Sequence, residues 1–125
     1  MSENAIGIFD SGLGGLTAVK ELIKVLPNEN IIYFGDTARV PYGNRSKNTI
    51  IKYARQDAYF LLSRGVKMII AACGTVSSVA VNLKDELPVP CTGVVNPTAQ
   101  AAVSATKNGR IGVIGTSATV NSNSY

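Results

Sequence analysis

The feature that most constrains this chain is a series of short apolar runs, each closed by small polar residues and followed by a stretch of helical period. Ala5–Phe9 (AIGIF) runs into Asp10-Ser11-Gly12, Ile31–Phe34 (IIYF) into Gly35-Asp36-Thr37, and Lys67–Ala72 (KMIIAA) into Cys73-Gly74-Thr75. Cys91–Val95 (CTGVV) leads to Asn96-Pro97-Thr98, and Arg110–Ile114 (RIGVI) to Gly115-Thr116-Ser117. Runs that are apolar throughout, rather than alternating, suit strands buried on both faces. Between them, Leu16, Val19, Ile23 and Leu26 recur at helical spacing. Ile50, Ile51, Ala54, Ala58, Leu61 and Leu62 form a second stripe, and Val76, Val79, Ala80 and Leu83 a third. Pro27-Asn28 stops the first helix and Leu87-Pro88 the third. Ser46 is placed to cap the second helix and Arg64-Gly65 to end it. The pattern predicts an α/β domain, a five-stranded parallel sheet flanked by helices, with a fourth helix opening at Asn96-Pro97-Thr98.

Composition narrows the chemistry. The chain has 125 residues, 46% hydrophobic and 16% charged, so it can bury a core. It contains no His, which excludes His-dependent triads, His metal sites and imidazole general bases. The net charge of +4 permits an anionic ligand without demanding nucleic acid, and the few aromatics form no base-stacking pattern. No nucleic-acid partner is expected. Two cysteines, Cys73 and Cys91, are too few for a disulfide scaffold or a four-Cys zinc site and suit a reducing compartment. The opening MSENAIGIFD lacks the basic-then-apolar layout of a leader. No apolar run approaches the roughly 18 residues of a membrane span. A cytoplasmic protein with no metal and no membrane partner is expected.

In an open parallel sheet, ligands bind beyond the carboxyl ends of the strands. Turn chemistry accounts for the Gly, Ser, Thr and Asp at these exits, but poorly for Cys73 or for Tyr42 in Pro41-Tyr42-Gly43. Cys73 follows an apolar run and opens a helix, where unpaired N–H groups favour a thiolate. Against this, a free Cys is usually a small buried apolar group. Cys91 enters its strand at the opposite edge of the sheet, about 15–20 Å from the exits at ~3.3 Å per residue, and is assigned to the core. The loop Asp10–Gly15 (DSGLGG) lacks the GK[ST] of a P-loop, and Thr17 stands where GxGxxG needs its last Gly. It reads as a tight turn presenting Asp10 and Ser11. From Arg39 to Lys67 there are seven basic residues and one acidic residue, Asp57, which reads as a solvated helix face. The last predicted strand is followed by a helix that has barely begun at Tyr125. Such an ending covers a sheet poorly, so a cut inside a larger architecture is expected, against the alternative of a complete small domain.

The segments IGIFDSGLGGLT, YFGDTARVPYGNRS, AACGTVSS and GRIGVIGTSAT, in this order and spacing, resemble the aspartate/glutamate racemase family. Within it they are similar to the first part of the bacterial glutamate racemases, and the P-Y-G loop favours glutamate. The resemblance spans Ile6 to Tyr125. It implies a flavodoxin-like domain and a cofactor-independent interconversion of L- and D-glutamate, supplying D-glutamate for peptidoglycan. It also implies two domains facing each other, each with one catalytic cysteine. One thiolate takes the α-proton and the opposite thiol delivers a proton to the other face, because inverting a stereocentre needs a base and an acid on opposite sides of one carbon.

By this resemblance Cys73 is the first catalytic cysteine, with Asp10 beside it as an orienting or proton-accepting carboxylate. The substrate-binding positions are Asp10, Ser11, Tyr42, Gly43, Gly74, Thr75, Thr116 and Thr119. Residues 1–98 correspond to a first domain carrying Cys73, and 99–125 to the start of a second. The chain departs from the family twice. Gly74 stands where the family has Asn, a loss of about 0.5–1.5 kcal/mol if one hydrogen bond to substrate goes with it. The second catalytic Cys, with its Thr-His neighbourhood, is absent. Little or no racemisation is therefore expected of this chain alone. The alternatives are a non-catalytic module that binds a small carboxylate, or a homo-oligomer in which another copy completes the sheet.

Overall fold

The structure, a computed structural model, describes residues 4–125; residues 1–3, part of the stretch read above for a leader, lie outside them. β1 (Ile6–Asp10) is buried along its whole length at the centre of a parallel four-stranded sheet of order β2-β1-β3-β4. β2 (Ile31–Gly35) pairs with β1 in the register Ile6–Ile31 to Asp10–Gly35. β3 (Met68–Ala71) lies on the other side of β1, with Ile6 opposite Met68 and Phe9 opposite Ala71. β4 (Cys91–Gly93) forms the edge, with Cys91 opposite Ile69. The sheet is thus the parallel kind that all-apolar runs require.

α1 (Leu16–Val25) packs on β2, and α2 (Lys47–Ser63) on β1 and β2. Ser46 caps α2 by accepting the Thr49 N–H at 3.2 Å, and Gly65, at φ +75°, closes it. The stripe Ile50, Ala54, Ala58 and Leu61 is fully buried against Phe9, Ile69 and Val76. Gly7 lets the layers approach, because a Cβ there would lie 3.0 Å from Val66 Cγ1 and 3.1 Å from Leu61 Cδ1. On the other face, Leu16, Ile23 and Val25 of α1 remain exposed.

Three expectations need correction. The third helix is broken into α3 (Gly74–Val79) and α4 (Leu83–Glu86). Val and Ser dominate α3 and are weak helix formers, so nothing intrinsic carries the helix through Ala80. β4 ends at Gly93, and α5 (Val95–Ala105) opens within the run read as strand. Its Pro97 falls in the first turn, where its missing N–H costs nothing. Residues 110–114 form no strand. A strand is stabilised by a neighbour to pair with, and β4 pairs over only three residues with β3. The segment instead crosses the surface, with Ile111 and Val113 half exposed and Ile114 wholly so, before α6 (Ser117–Asn121). Among the described residues no helix is long and apolar enough to cross a membrane.

Candidate active site

The exits of β1 and β3 lie side by side and open into a cavity of about 910 Å³. Asp10 is held by the turn that follows it. Its carboxylate accepts the N–H of Ser11 at 2.8 Å and that of Gly15 at 2.6 Å. The turn is anchored to β2, because the Tyr33 hydroxyl donates to Gly12 O at 3.0 Å. Burial, and then the Asp10 charge, push the Tyr33 phenol above its usual range. Gly35 is required here for space, since a Cβ would lie 2.5 Å from Gly12 O.

Cys73 caps α3 in extended conformation, its sulfur accepting the Val76 N–H at 3.5 Å. Its thiol donates to Ser11 Oγ at 3.4 Å. Although only 5% exposed and joined to the core on one side, Cys73 is not sealed in, since it lines the cavity with Asp10 and Ser11. Thr75 continues the wall. Its Oγ1 lies 2.9 Å from Thr116 Oγ1, which lies 3.0 Å from Thr119 Oγ1. Thr116 also caps α6 by accepting the Thr119 N–H at 3.3 Å. Asp10, Ser11, Cys73, Gly74, Thr75, Thr116 and Thr119 therefore share one cavity. Gly74 has open space where a side chain would stand.

Tyr42 and Gly43 do not line that cavity. The Tyr42 ring is turned inward and its hydroxyl meets two carboxyl groups, Asp36 and, at 2.8 Å, Asp57. Arg39 bridges both, with Nε 2.6 Å from Asp36 and Nη2 3.1 Å from Asp57, and lies 4.1 Å over the Tyr53 ring. Burial pushes the Asp57 carboxyl up to about 6, against the pull of Tyr42 and Arg39. Burial, and then Asp36 and Asp57, drive the Tyr42 phenol far upward. This cluster went unread in the sequence. Asp57 is wholly buried rather than part of a solvated face. The signal was its spacing, since it falls on the apolar stripe with Ala54, Ala58 and Leu61.

Cys91, the other thiol, is half buried at the entry of β4 and borders a separate cavity with Ser77 and Lys84. Burial raises its pKa. Among the described residues no group of His, Cys, Asp and Glu is arranged to hold a metal ion.

A buried cysteine and aspartate at adjacent exits of a parallel sheet, faced by a row of hydroxyls, define a small-molecule site of the open α/β class. Residues 18–125 match the model of the Asp/Glu/Hydantoin racemase family, and the chain belongs to that family. A glutamate racemase of Geobacter metallireducens is 51% identical over all of this chain and 47% of its own length. The structure of a glutamate racemase from Aquifex pyrophilus matches with a TM-score of 0.93 at 50% identity, over 97% of this chain and 48% of that one. A glutamate racemase from Francisella tularensis in complex with D-glutamate matches with a TM-score of 0.85 at 49% identity, over 100% of this chain and 47% of that one. The chain spans about half the length of the curated relatives it matches.

Proposed function

We propose that this chain forms one wall of a glutamate racemase active site, with Cys73 as the thiol on one side of the substrate's α-carbon. The observation that carries the reading is the convergence of Cys73, Ser11 and Asp10 on a cavity whose far side offers Thr75, Thr116 and Thr119. The Cys73 thiolate takes the α-proton, and Ser11, 3.4 Å away, stabilises the sulfur. Asp10, fixed by two backbone N–H groups, orients the substrate ammonium or accepts its proton. Gly74 N–H and the threonine hydroxyls bind carboxylate oxygens. Tyr42 and Gly43 act only indirectly, through the packing of their loop on Thr116, since neither lines the cavity and the Tyr42 hydroxyl is committed elsewhere. No cofactor takes part.

By the same reading residues 1–98 belong to the first domain and 99–125 begin the second, the one from which the opposing thiol would come. Cys91 does not serve as that thiol, because it borders a different cavity. The reaction interconverts L- and D-glutamate in the cytoplasm and supplies D-glutamate for peptidoglycan. With one thiol at the cavity, this chain binds glutamate and exchanges its α-proton on one face, with little or no racemisation.

The test is proton NMR of L- and D-glutamate with this chain in deuterated buffer. Slow loss of the α-proton signal from one enantiomer, abolished by Cys73→Ala, is expected. Exchange that survives Cys73→Ala would overturn the assignment. A second reading rests on the wholly exposed Ile114 beside half-exposed Ile111 and Val113. These residues favour association with another copy. Light scattering that shows only monomer would remove it.

A further inference from the structure

We propose that Asp57 is a positioning residue which, through Tyr42 and Gly43, holds the Thr75–Thr116–Thr119 hydroxyl row in place at the cavity. The inference deepens the reading of that cavity as a carboxylate site, although its first test does not depend on the ligand. Asp57 sits on the packed stripe of α2, wholly buried, where a small apolar residue would fill the space more simply. A buried carboxylate is costly unless its partners are well placed, and both of its oxygens are engaged, by Tyr42 at 2.8 Å and Arg39 at 3.1 Å. These contacts tie the loop after β2 to α2, the longest helix of the molecule.

The tie continues through the next residue. Gly43 is buried, and a Cβ there would collide with Thr116 Cβ and Cγ2, so the loop backbone lies directly on the Thr116 side chain. Gly43 O accepts the Ala118 N–H at 3.1 Å. Thr116 then meets Thr75, 2.9 Å away. α6 is only five residues long, too short to hold itself, and the segment before it is exposed and unpaired in the sheet. Its place therefore depends on what it rests against, namely α3 and the Gly43 loop. The charged cluster at one end of that loop and the hydroxyl row at the other form a single mechanical path.

The experiment is amide hydrogen exchange, followed by NMR on this chain, for the wild type, Asp57→Asn and Tyr42→Phe. Both substitutions keep shape and remove charge or the hydroxyl, and either suffices if the other fails to fold. The Ala118 amide should exchange about tenfold faster, while the amides of β1 and β3 change less than about twofold. Acceleration spread evenly over β1, β3 and α6 would mean general destabilisation and would overturn the proposal, as would no change at Ala118. Gly43→Ala disturbs the far end of the path directly. In that background Asp57→Asn should add nothing at Ala118, and a full additional effect would sink the route through Gly43. Calorimetric titration with D-glutamate gives a separate reading, with affinity reduced about fivefold by Asp57→Asn. If the wild type binds no D-glutamate, the proposed function fails while the exchange data still decide this inference.

Discussion

The Asp10 carboxylate accepts the backbone N–H of Gly15 at 2.6 Å, so the side chain is held by the same turn that starts α1. Gly15 leaves no room for anything larger. A Cβ there would stand 2.9 Å from Asp10 Cβ and 3.0 Å from Ala72 Cβ. Gly15→Ala should therefore push Asp10 out of line and cut α-proton exchange at Cys73 by about tenfold or more, as positioning losses of this kind do. Thermal melting would check that the fold survives. A variant with unchanged exchange would show that the orientation of Asp10 is immaterial.

Gly74 offers a gain rather than a loss. Nothing lies within 4 Å of the position a Cβ would take, and the residue is the first of α3, at the cavity wall. Gly74→Asn should add a hydrogen bond to a bound carboxylate, tightening D-glutamate binding by about 0.5–1.5 kcal/mol, or two- to tenfold. Calorimetry measures this directly, and weaker binding would count against Gly74 as a substrate contact.

Asp57 gives the molecule a pH dependence of defined sign. Its carboxyl is raised from an ordinary 3.8 to about 6, by burial first, while Asp36 raises it further and Tyr42 and Arg39 oppose the rise. The folded state therefore holds this proton more tightly than the unfolded chain. The resulting stability is full below the unfolded value and is lost as pH climbs through the folded one. The stability of the wild type minus that of Asp57→Asn should fall by about 3 kcal/mol between pH 4 and pH 7, read by denaturant titration across that range. A constant difference across that range would contradict this account.

The core supplies a control with no bearing on chemistry. Leu61 is fully buried on α2 and lies against the position where Gly7 admits close packing. Leu61→Ala should cost about 2–5 kcal/mol by denaturant titration. A cost below about 1 kcal/mol would mean that the α2–sheet interface is looser than its burial indicates.

The strands β1 to β4 and the caps of α2 were legible because apolar runs and capping residues are local signals. Ser46 and Gly65 act where the sequence placed them. The run Arg110–Ile114 misled because periodicity records apolarity and not whether the run meets a partner strand. At the site, the strand exits pointed to Asp10, Ser11, Cys73 and Thr75, and the structure brings these four together at one cavity. The placement of Tyr42 was not legible. Turn chemistry left its role open, whereas the fold draws its hydroxyl inward to Asp36 in the same loop and to Asp57 on α2. Asp57 was hidden by its company, since one acid among basic residues looks like a surface residue unless its helical phase is followed.

The row of Thr75, Thr116 and Thr119 has one more property. Each oxygen–oxygen contact can be bridged with the hydrogen pointing in either direction. Reversing the first bond allows the next to reverse, so the terminal oxygen can switch from giver to receiver without any heavy atom moving. Such a row can offer either a donor or an acceptor at its end to whatever occupies the cavity.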